Sequence, residues 1–149
     1  MKDDLAVYQA STSDLDELLH IQEQTQETEW TAAQFLEYIE SEQCWVAMVD
    51  DAVAGFAIFT HVLDEAELLN IAVAPAFQRQ GIALRLFKSV VRELKKGRIN
   101  QCFLEVATLN HNAQRLYQKL GFEQVAIRKN YYQRKNGSID DAIVMRASL

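Results

Sequence analysis

Hydrophobic residues recur along the chain with two different spacings, and each change of spacing marks a boundary between predicted elements. Alternating or continuous apolar runs predict seven strands: LAVYQA, CWVAMV, AVAGFAIFTHV, ELLNIAV, QCFLEV, FEQVAIRKNYY and DDAIVMRAS. Apolar residues three or four apart predict four helices: STSDLDELLHIQEQT, TAAQFLEYIES, IALRLFKSVVRELKK and NHNAQRLYQKL. The order is therefore β-α-α-β-β-β-α-β-α-β-β. This order predicts an α+β fold, with a mixed, mostly antiparallel sheet and helices on both faces.

The starts of the first two helices carry local signals. Thr31 and Gln34 have the T-x-x-Q spacing of a capping box, in which each side chain accepts a backbone N–H of the other residue. Trp30 precedes the cap and Phe35 is the fourth helical residue, the two positions that pack together in a hydrophobic staple. Ser13 is the predicted cap of the first helix.

Glycines and an asparagine mark later boundaries. Gly97 fits the position just after the third helix, and Asn110 and Gly121 fit the start and stop of the fourth helix. A turn at Lys135–Gly137 separates the last two predicted strands.

Composition narrows the class of protein. The chain has 149 residues, 49% hydrophobic and 24% charged, which predicts a single globular domain over residues 1–149. Its net charge of −6 argues against a nucleic-acid partner and is compatible with a basic peptide or amine. The N-terminal MKDDLAVYQA has no apolar signal segment, so we expect a cytoplasmic protein. No apolar run is long enough to span a bilayer, so no membrane partner is expected. A monomer is the default expectation. Cys44 and Cys102 lie in apolar runs and are predicted to be buried, reduced thiols.

The stretch NIAVAPAFQRQGIALRLF, residues 70–87, holds the only proline, Pro75, and one of five glycines, Gly81. A strand that ends, a glycine-containing loop and a helix start together make a candidate anion site, because the first backbone N–H groups of a helix lack helical partners. Arg79 could add a charged donor, and Gln78 and Gln80 neutral ones. Neither a Walker loop nor a G-x-G-x-x-G fingerprint is present. On these residues alone, an ordinary turn is the usual explanation of a lone glycine before a helix.

Two segments resemble one enzyme family. QRQGIA resembles the pyrophosphate loop of the GNAT acyltransferases, and NHNAQRLYQKLGF resembles that family's N-x-x-A-x-x-L-Y-x-x-x-G-F segment. LDEAELLNIAVAPAFQRQG, LEV, RKNYY and DDAIVM are further similar to the RimI branch, whose members acetylate the N-terminal alanine of a small-subunit ribosomal protein. Ala83 stands where many members of the family have a second glycine.

The resemblance implies the GNAT fold, acetyl-CoA as co-substrate without a metal, and an N-terminal peptide of a ribosomal protein as acceptor. It implies that backbone groups at Ile71, Ala72 and Val73 pair with the pantetheine arm. The implied pyrophosphate and further cofactor contacts are Arg79, Gln80, Gly81, Ile82, Ala83, Leu84 and Asn110. Asn110 is also explained by helix capping alone.

Two residues are candidates for proton transfer. Glu105 ends an apolar strand, where desolvation favours proton acceptance. On the residues alone, a strand end that has reached solvent is the more ordinary explanation. Tyr117 carries a phenol that could protonate a departing thiolate, or it could be a core aromatic residue beside Leu116 and Leu120. The resemblance implies that Glu105 is the base, directly or through water, and that Tyr117 is the acid.

An acidic cluster beside the start of the strand ELLNIAV is the candidate acceptor site. Asp64, Glu65 and Glu67 could receive a basic residue of the peptide, with Tyr131 and Tyr132 as walls, or they could be a solvated charge run. The three histidines, His20, His61 and His111, show no metal-ligand pattern and are predicted to be structural or surface residues. Two alternatives stay open: an acetyltransferase acting on a small-molecule amine, and a non-catalytic regulator that binds coenzyme A.

Overall fold

A computed structural model describes residues 4–133 and 136–149, except for the side chain of Tyr132. The strands are β1 (Leu5–Gln9), β2 (Cys44–Val49), β3 (Ala52–Val62), β4 (Glu65–Val73), β5 (Gln101–Ala107), β6 (Glu123–Gln133) and β7 (Ile139–Ser148). The helices are α1 (Leu15–Thr25), α2 (Ala32–Glu40), α3 (Ile82–Lys96) and α4 (His111–Lys119). The element order predicted from the sequence is confirmed.

The strands form a seven-stranded sheet in the order β1-β2-β3-β4-β5-β7-β6. β4 and β5 are parallel, and the pairs β1/β2, β2/β3, β5/β7 and β6/β7 are antiparallel. A parallel pair needs a crossover, and α3 is the connection between β4 and β5. The sheet is therefore mixed and mostly antiparallel, as predicted.

The chain divides into two compact units, of which the first comprises residues 4–59 and 70–90. In this unit the Thr31 side chain accepts the Gln34 N–H at 3.1 Å, and Gln34 accepts the Thr31 N–H at 2.8 Å. The Trp30 and Phe35 rings lie 5.2 Å apart between centroids, and Phe35 meets Phe56 edge-on at 5.4 Å. The predicted capping box and staple are both confirmed, and they fix α2 over the apolar face of β3.

One predicted helix cap is wrong, and α3 ends directly before Gly97 as predicted but with the left-handed conformation one residue later. Ser13 does not cap α1; instead Ser11 and Asp14 form a capping box around a short 3₁₀ turn over Thr12–Asp14, and α1 follows it. After α3, the left-handed residue is Arg98, with φ 67°, while Gly97 only donates its N–H to Leu94 at 3.0 Å.

The second unit comprises residues 60–69 and the described part of 91–149. β5 pairs with β7 over its whole length, and β4 adds Glu65–Glu67 opposite Gln101–Phe103. α4 begins where the Asn110 side chain accepts the Ala113 N–H at 3.2 Å, and the chain leaves it through Gly121 at φ 102°. Both predicted limits of this helix are confirmed. The predicted turn at Lys135–Gly137 lies partly outside the described residues.

Both cysteines are buried free thiols, and burial raises the pKa of each to about 12. The predicted burial is confirmed, and neither cysteine is in a disulfide. Within residues 4–133 and 136–149, no helix is both long and apolar enough to cross a membrane. The organisation of residues 1–149 as a single domain stays a prediction.

Candidate active site

The candidate anion loop lies in the first unit, between β4 and α3. Pro75 starts a short 3₁₀ turn directly after β4. Gly81 has φ 76°, and a Cβ added there would meet no atom within 4 Å. The first bond of α3 runs from the Arg85 N–H to the Gly81 carbonyl at 3.1 Å, so the amides of Ile82–Leu84 lie in the turn that lacks helical acceptors. The loop is exposed and has room for a ligand at its glycine.

The polar side chains of the loop differ in whether they are available to bind a phosphate. The Gln78 amide donates to the Val73 carbonyl at 3.0 Å, so it braces the loop against the strand end instead of pointing outward as a phosphate donor. Arg79 is exposed and holds a left-handed φ of 66°. Gln80 is also exposed.

The predicted pantetheine strand, Ile71–Val73, passes very close to β3. A Cβ added at Gly55 would lie 2.6 Å from the Ala72 carbonyl oxygen and 3.3 Å from the Val73 Cα. Both contacts are with backbone, which cannot move aside as a flexible side chain can. Gly55 is therefore required by the close approach of the two strands, and the sequence reasoning missed it.

A buried polar network ties the connection between α1 and α2 to the same strand. The Asn70 amide donates to Gln22 Oε1 at 2.7 Å, and Gln22 donates to the Thr28 carbonyl at 2.6 Å. Gln26 donates to the Ile71 carbonyl at 3.0 Å. Gln22 and Asn70 are only 3% and 7% exposed, so these bonds replace water that both amides have lost. Sequence reasoning missed this network, because two glutamines on a helix carry no pairing signal.

In the second unit, a pocket of about 390 Å³ opens over the β4–β5 pair. Its walls carry three carboxylates and one guanidinium. The lining residues are Thr60, His61, Val62, Glu65, Ala66, Glu67, Phe103, Leu104, Glu105, Arg128 and Val144. Three of these, Glu65, Glu67 and Glu105, are sequence-predicted site residues that the fold brings together.

Glu105 is held by two side chains of β6. Arg128 donates to Glu105 Oε2 at 2.7 Å, and the Tyr131 hydroxyl is hydrogen-bonded to the same carboxyl group. The Arg128 guanidinium lies over the Tyr131 ring, 4.0 Å from its centroid. The hydrogen bond to Glu105 raises the pKa of Arg128, and the negative charge of Glu105 and the nearby Tyr131 raise it further. The Glu105 charge also raises the pKa of Tyr131. Glu105 is thus oriented towards the pocket by a stacked pair. Sequence reasoning assigned no role to Arg128.

Glu67 stands across the parallel pair from Phe103, on the strand face that also carries Glu105. Desolvation raises the pKa of Glu67, the nearby Glu105 charge raises it further, and Arg128 opposes both. Unlike Glu67, Glu65 has a neutral side-chain partner, because it accepts a hydrogen bond from the Gln101 amide at 3.3 Å. Asp64 is absent from the pocket walls, and it accepts the Asn100 amide at 3.5 Å.

Tyr117 lies on α4, edge-on to Phe122 with ring centroids 6.2 Å apart. Burial raises the pKa of its phenol to about 12, so the group is fully protonated at neutral pH. It is not among the lining residues of the pocket. Asn110 acts as the helix cap, which leaves its predicted contact with a cofactor a prediction.

The remaining candidates have simpler placements. His61 lines the pocket, whereas His20 and His111 are exposed. The side chain of Tyr132 lies outside what the structure describes. Across the part of the chain that is described, no group of three or more His, Cys, Asp or Glu residues could hold a metal ion.

Comparison with known proteins agrees with the fold. A model of the acetyltransferase (GNAT) family matches residues 7–122. The chain is 37% identical over 135 residues to the [ribosomal protein bS18]-alanine N-acetyltransferase of Escherichia coli K12, covering 90% of each chain. It is 45% identical over 95 residues to the protein of that name from Haemophilus ducreyi, covering 64% of this chain and 66% of the relative.

Two solved structures extend the likeness. The crystal structure of the E. coli ribosomal-protein-S18-alanine N-acetyltransferase has a TM-score of 0.84 and 35% identity, covering 97% of this chain and 93% of the other. A GNAT family acetyltransferase from Elizabethkingia anophelis, solved with acetyl-CoA bound, has a TM-score of 0.78 at 24% identity, covering 99% and 100%. The second likeness supports the fold alone. With a family model matching most of its length and a relative aligned over 90% of it, the chain belongs to the GNAT family of acetyltransferases.

Proposed function

We propose that this protein transfers an acetyl group from acetyl-CoA to the α-amine of an N-terminal alanine on a small-subunit ribosomal protein. The observation that carries the proposal is the pocket in which Glu105 is oriented by Arg128 and Tyr131 and faced by Glu67. A site for an amine needs a proton acceptor and a negative field, and this pocket has both. The RimI-type relatives supply the class of acceptor.

The first unit fits the proposed co-substrate. An exposed loop directly before the helix, a left-handed glycine with open space and an exposed arginine are features suited to holding a pyrophosphate. The residues that would hold it are Arg79, Gln80, Gly81, Ile82, Ala83 and Leu84. Ile71–Val73 would pair with the extended arm as an added strand, and Asn110 would contribute one further contact. When bound, acetyl-CoA supplies the activated acetyl group as a thioester.

Glu105 is the proposed proton acceptor, directly or through one water molecule. An α-amine has an ordinary pKa near ~8, whereas a lysine amine is near ~10.4, so the α-amine needs only a modest base at neutral pH. The α-amine of the acceptor enters as an ammonium group, and the Glu105 carboxylate takes one of its protons. The neutral nitrogen then has a lone pair for attack. Arg128 and Tyr131 keep the carboxylate in one orientation while this happens.

Tyr117 is the proposed proton donor to the departing sulfur. A phenol with a pKa of about 12 always carries its proton at neutral pH. Free thiols have pKa values near ~8.5, so full transfer to a relaxed thiolate is uphill. The donation is therefore coupled to cleavage of the carbon–sulfur bond, as negative charge develops on the sulfur, and the Tyr117 phenolate then regains a proton from solvent.

Specificity for a basic second residue is the proposed role of Glu65, Glu67 and Asp64, with Tyr131 and Tyr132 as walls. Glu65 and Glu67 line the pocket, and Asp64 lies outside its walls, directly before β4. A peptide with a cation behind its free α-amine would meet these carboxylates. An uncharged second residue would forgo that attraction.

One assay tests the proposal. The purified protein and acetyl-CoA are incubated separately with an Ala-Arg-starting peptide, its N-blocked form, an Ala-Ala-starting peptide and spermidine. We expect acetylation of the free Ala-Arg peptide, slower reaction of Ala-Ala, and none of the blocked peptide. Transfer to spermidine alone would replace the proposal with a small-molecule acetyltransferase, and transfer to nothing would favour a regulator. Glu67→Gln and Glu65→Gln are expected to raise KM for Ala-Arg more than for Ala-Ala.

A further inference from the structure

The pairing of β6 with β7 is interrupted beside the pocket. Arg128 lies opposite Ala142, and Tyr132 lies opposite Asp140, so residues 129–131 of β6 face the single residue Asp141 of β7. A strand with extra residues bulges away from its partner and leaves backbone groups without ladder bonds. Something other than the sheet must therefore fix the shape of this bulge.

Asp141 binds one backbone group and one side chain of the bulge with its carboxylate. One carboxylate oxygen, Oδ1, accepts the backbone N–H of Asn130 at 2.8 Å. The other oxygen, Oδ2, accepts the Lys129 ammonium group at 3.4 Å. The stronger constraint is on Asn130, because the bond is short and is made to the backbone.

Asn130 needs such a constraint. Its φ is 54°, in the left-handed region that non-glycine residues adopt at a cost. Asparagine tolerates that region better than most residues, but the conformation persists only where the surroundings enforce it. The bond to Asp141 does so at this position.

The bulge decides where two functional side chains lie. Arg128 precedes Asn130 by two residues and Tyr131 follows it, yet their side chains stack at 4.0 Å and both bind Glu105. In a regular strand, residues three apart point to opposite faces of the sheet. The left-handed turn at Asn130 therefore brings Tyr131 onto the face that carries Arg128 and Glu105.

We propose that Asp141 is a positioning residue: by holding Asn130 in its left-handed conformation, it keeps Arg128 and Tyr131 on Glu105. This inference rests on the proposed function for its kinetic consequences, but not for its structural ones. Asp141 does not line the pocket, and it acts only through the bulge. The two aspartates of the DDAIVM segment thus have different partners. Asp141 holds the bulge, whereas Asp140 accepts the Thr108 hydroxyl at 2.5 Å and the Leu109 N–H at 3.2 Å.

The test compares Asp141→Ala with the double variant Asn130→Gly/Asp141→Ala. Glycine adopts positive φ without strain, so the double variant should regain the bulge that the single variant loses. For Asp141→Ala we expect kcat/KM for the peptide to fall roughly ten- to hundredfold, with KM for acetyl-CoA within about twofold of wild type. The double variant should recover most of the loss. Lys129→Ala, which removes only the ion pair, is the control and should behave as wild type.

A second measurement needs no substrate. The Tyr131 phenol, which Glu105, Arg128 and Glu67 influence, is titrated by NMR of the labelled ring carbon. Loss of the bulge should move the pKa of Tyr131 down towards its ordinary value in Asp141→Ala, and Asn130→Gly should restore it. Asp141→Asn keeps an acceptor for the Asn130 N–H and should titrate as wild type, which covers the case in which the alanine variant fails to fold.

The outcomes separate the two proposals. If the wild-type protein acetylates no peptide, the proposed function fails, while the Tyr131 titration still tests Asp141. If Asp141→Ala leaves the titration and the kinetics unchanged, the inference is overturned. It is also overturned if Asn130→Gly gives no recovery, because Asp141 would then act by some other route.

Discussion

The Arg128 guanidinium donates to Glu105 at 2.7 Å although 54% of its side chain is exposed and only 16% of the Glu105 side chain is. Such a half-exposed ion pair contributes little to the stability of a fold. Its importance lies in the field that the two charges create at Glu67. The Glu105 charge raises the pKa of Glu67 and the Arg128 charge lowers it, on top of the larger rise from desolvation.

This arrangement predicts opposite shifts from two neutralising substitutions. Glu105→Gln removes a negative neighbour and should lower the pKa of Glu67, which desolvation still keeps above its ordinary 4.5. Arg128→Gln removes the positive neighbour and should raise it. NMR titration of the labelled Glu67 carboxyl carbon measures both shifts. Lys129→Gln, which removes a charge from the same strand, is the control, and shifts in the same direction for the first two variants would contradict the assignment.

Tyr117→Phe should reduce turnover without loosening the fold. Removal of a general acid lowers kcat roughly hundredfold or more. KM for acetyl-CoA should stay near that of wild type, because the ring and its edge-on contact with Phe122 are kept. Steady-state kinetics and a thermal melt measure the two effects. The matched variant is Tyr8→Phe, at an exposed tyrosine of β1, and equal kcat in the two variants would remove Tyr117 from the chemistry.

Gly55→Ala should damage the strand proposed to hold the pantetheine arm. Its Cβ would press on the Ala72 carbonyl oxygen at 2.6 Å, so β3 and β4 must move apart. We expect a loss of roughly 1–3 kcal/mol in the free energy of unfolding and weaker binding of coenzyme A. The control is Gly97→Ala, whose added Cβ has its nearest contact at 3.5 Å. Urea unfolding and calorimetric titration with coenzyme A test the pair, and equal stability of the two variants would refute the steric argument.

The regular elements were predictable from the sequence, whereas backbone irregularities were not. The T-x-x-Q box at Thr31 and the cap at Asn110 are encoded within four residues, so the sequence alone locates them. Glu105 and Glu67 come together because the parallel register of β4 and β5 places them on one face. The family resemblance pointed to Glu105 as a candidate without that register, and its role stays a prediction.

Other features depend on three-dimensional context. Arg128 and Tyr131 look as though they belong to opposite faces of β6, and only the left-handed Asn130 brings them together. Three-dimensional context also decides that Arg98 takes the left-handed conformation in place of the neighbouring Gly97. It also explains Gln78, whose bond to the Val73 carbonyl closes only after the loop has folded.

Gly81→Ala should separate backbone strain from ligand binding. A non-glycine residue at φ 76° costs roughly 1–2 kcal/mol even though the surrounding space is open. Gly137→Ala introduces the same kind of strain at φ 89°, also in open space, in the connection between β6 and β7. Both variants should lose similar stability, but only Gly81→Ala should bind coenzyme A more weakly. Titration of both variants with coenzyme A decides, and equal affinities would argue against a phosphate cradle at Gly81.

Glu67→Gln should stabilise the protein at neutral pH and lose that advantage in acid. Because the pKa of Glu67 is higher in the folded than in the unfolded chain, the folded state holds its proton more tightly. Stability contributed by Glu67 therefore falls as pH rises from about 4.5 through the folded pKa, and it stays low above that range. Glutamine carries no charge, so the variant avoids this cost at pH 7 and matches wild type below pH 4.5. The gain should remain below about 1 kcal/mol, because water partly screens this side chain.

Urea unfolding at pH 7 and at pH 4 measures the difference between wild type and Glu67→Gln. In an Arg128→Gln background the gain at pH 7 should be larger, because the cation that offsets the cost of ionised Glu67 is gone. A variant less stable than wild type at pH 7 would mean that the Glu67 charge stabilises the fold. Glu67 would then have a structural role, and its raised pKa would not support a role in binding the amine of the acceptor.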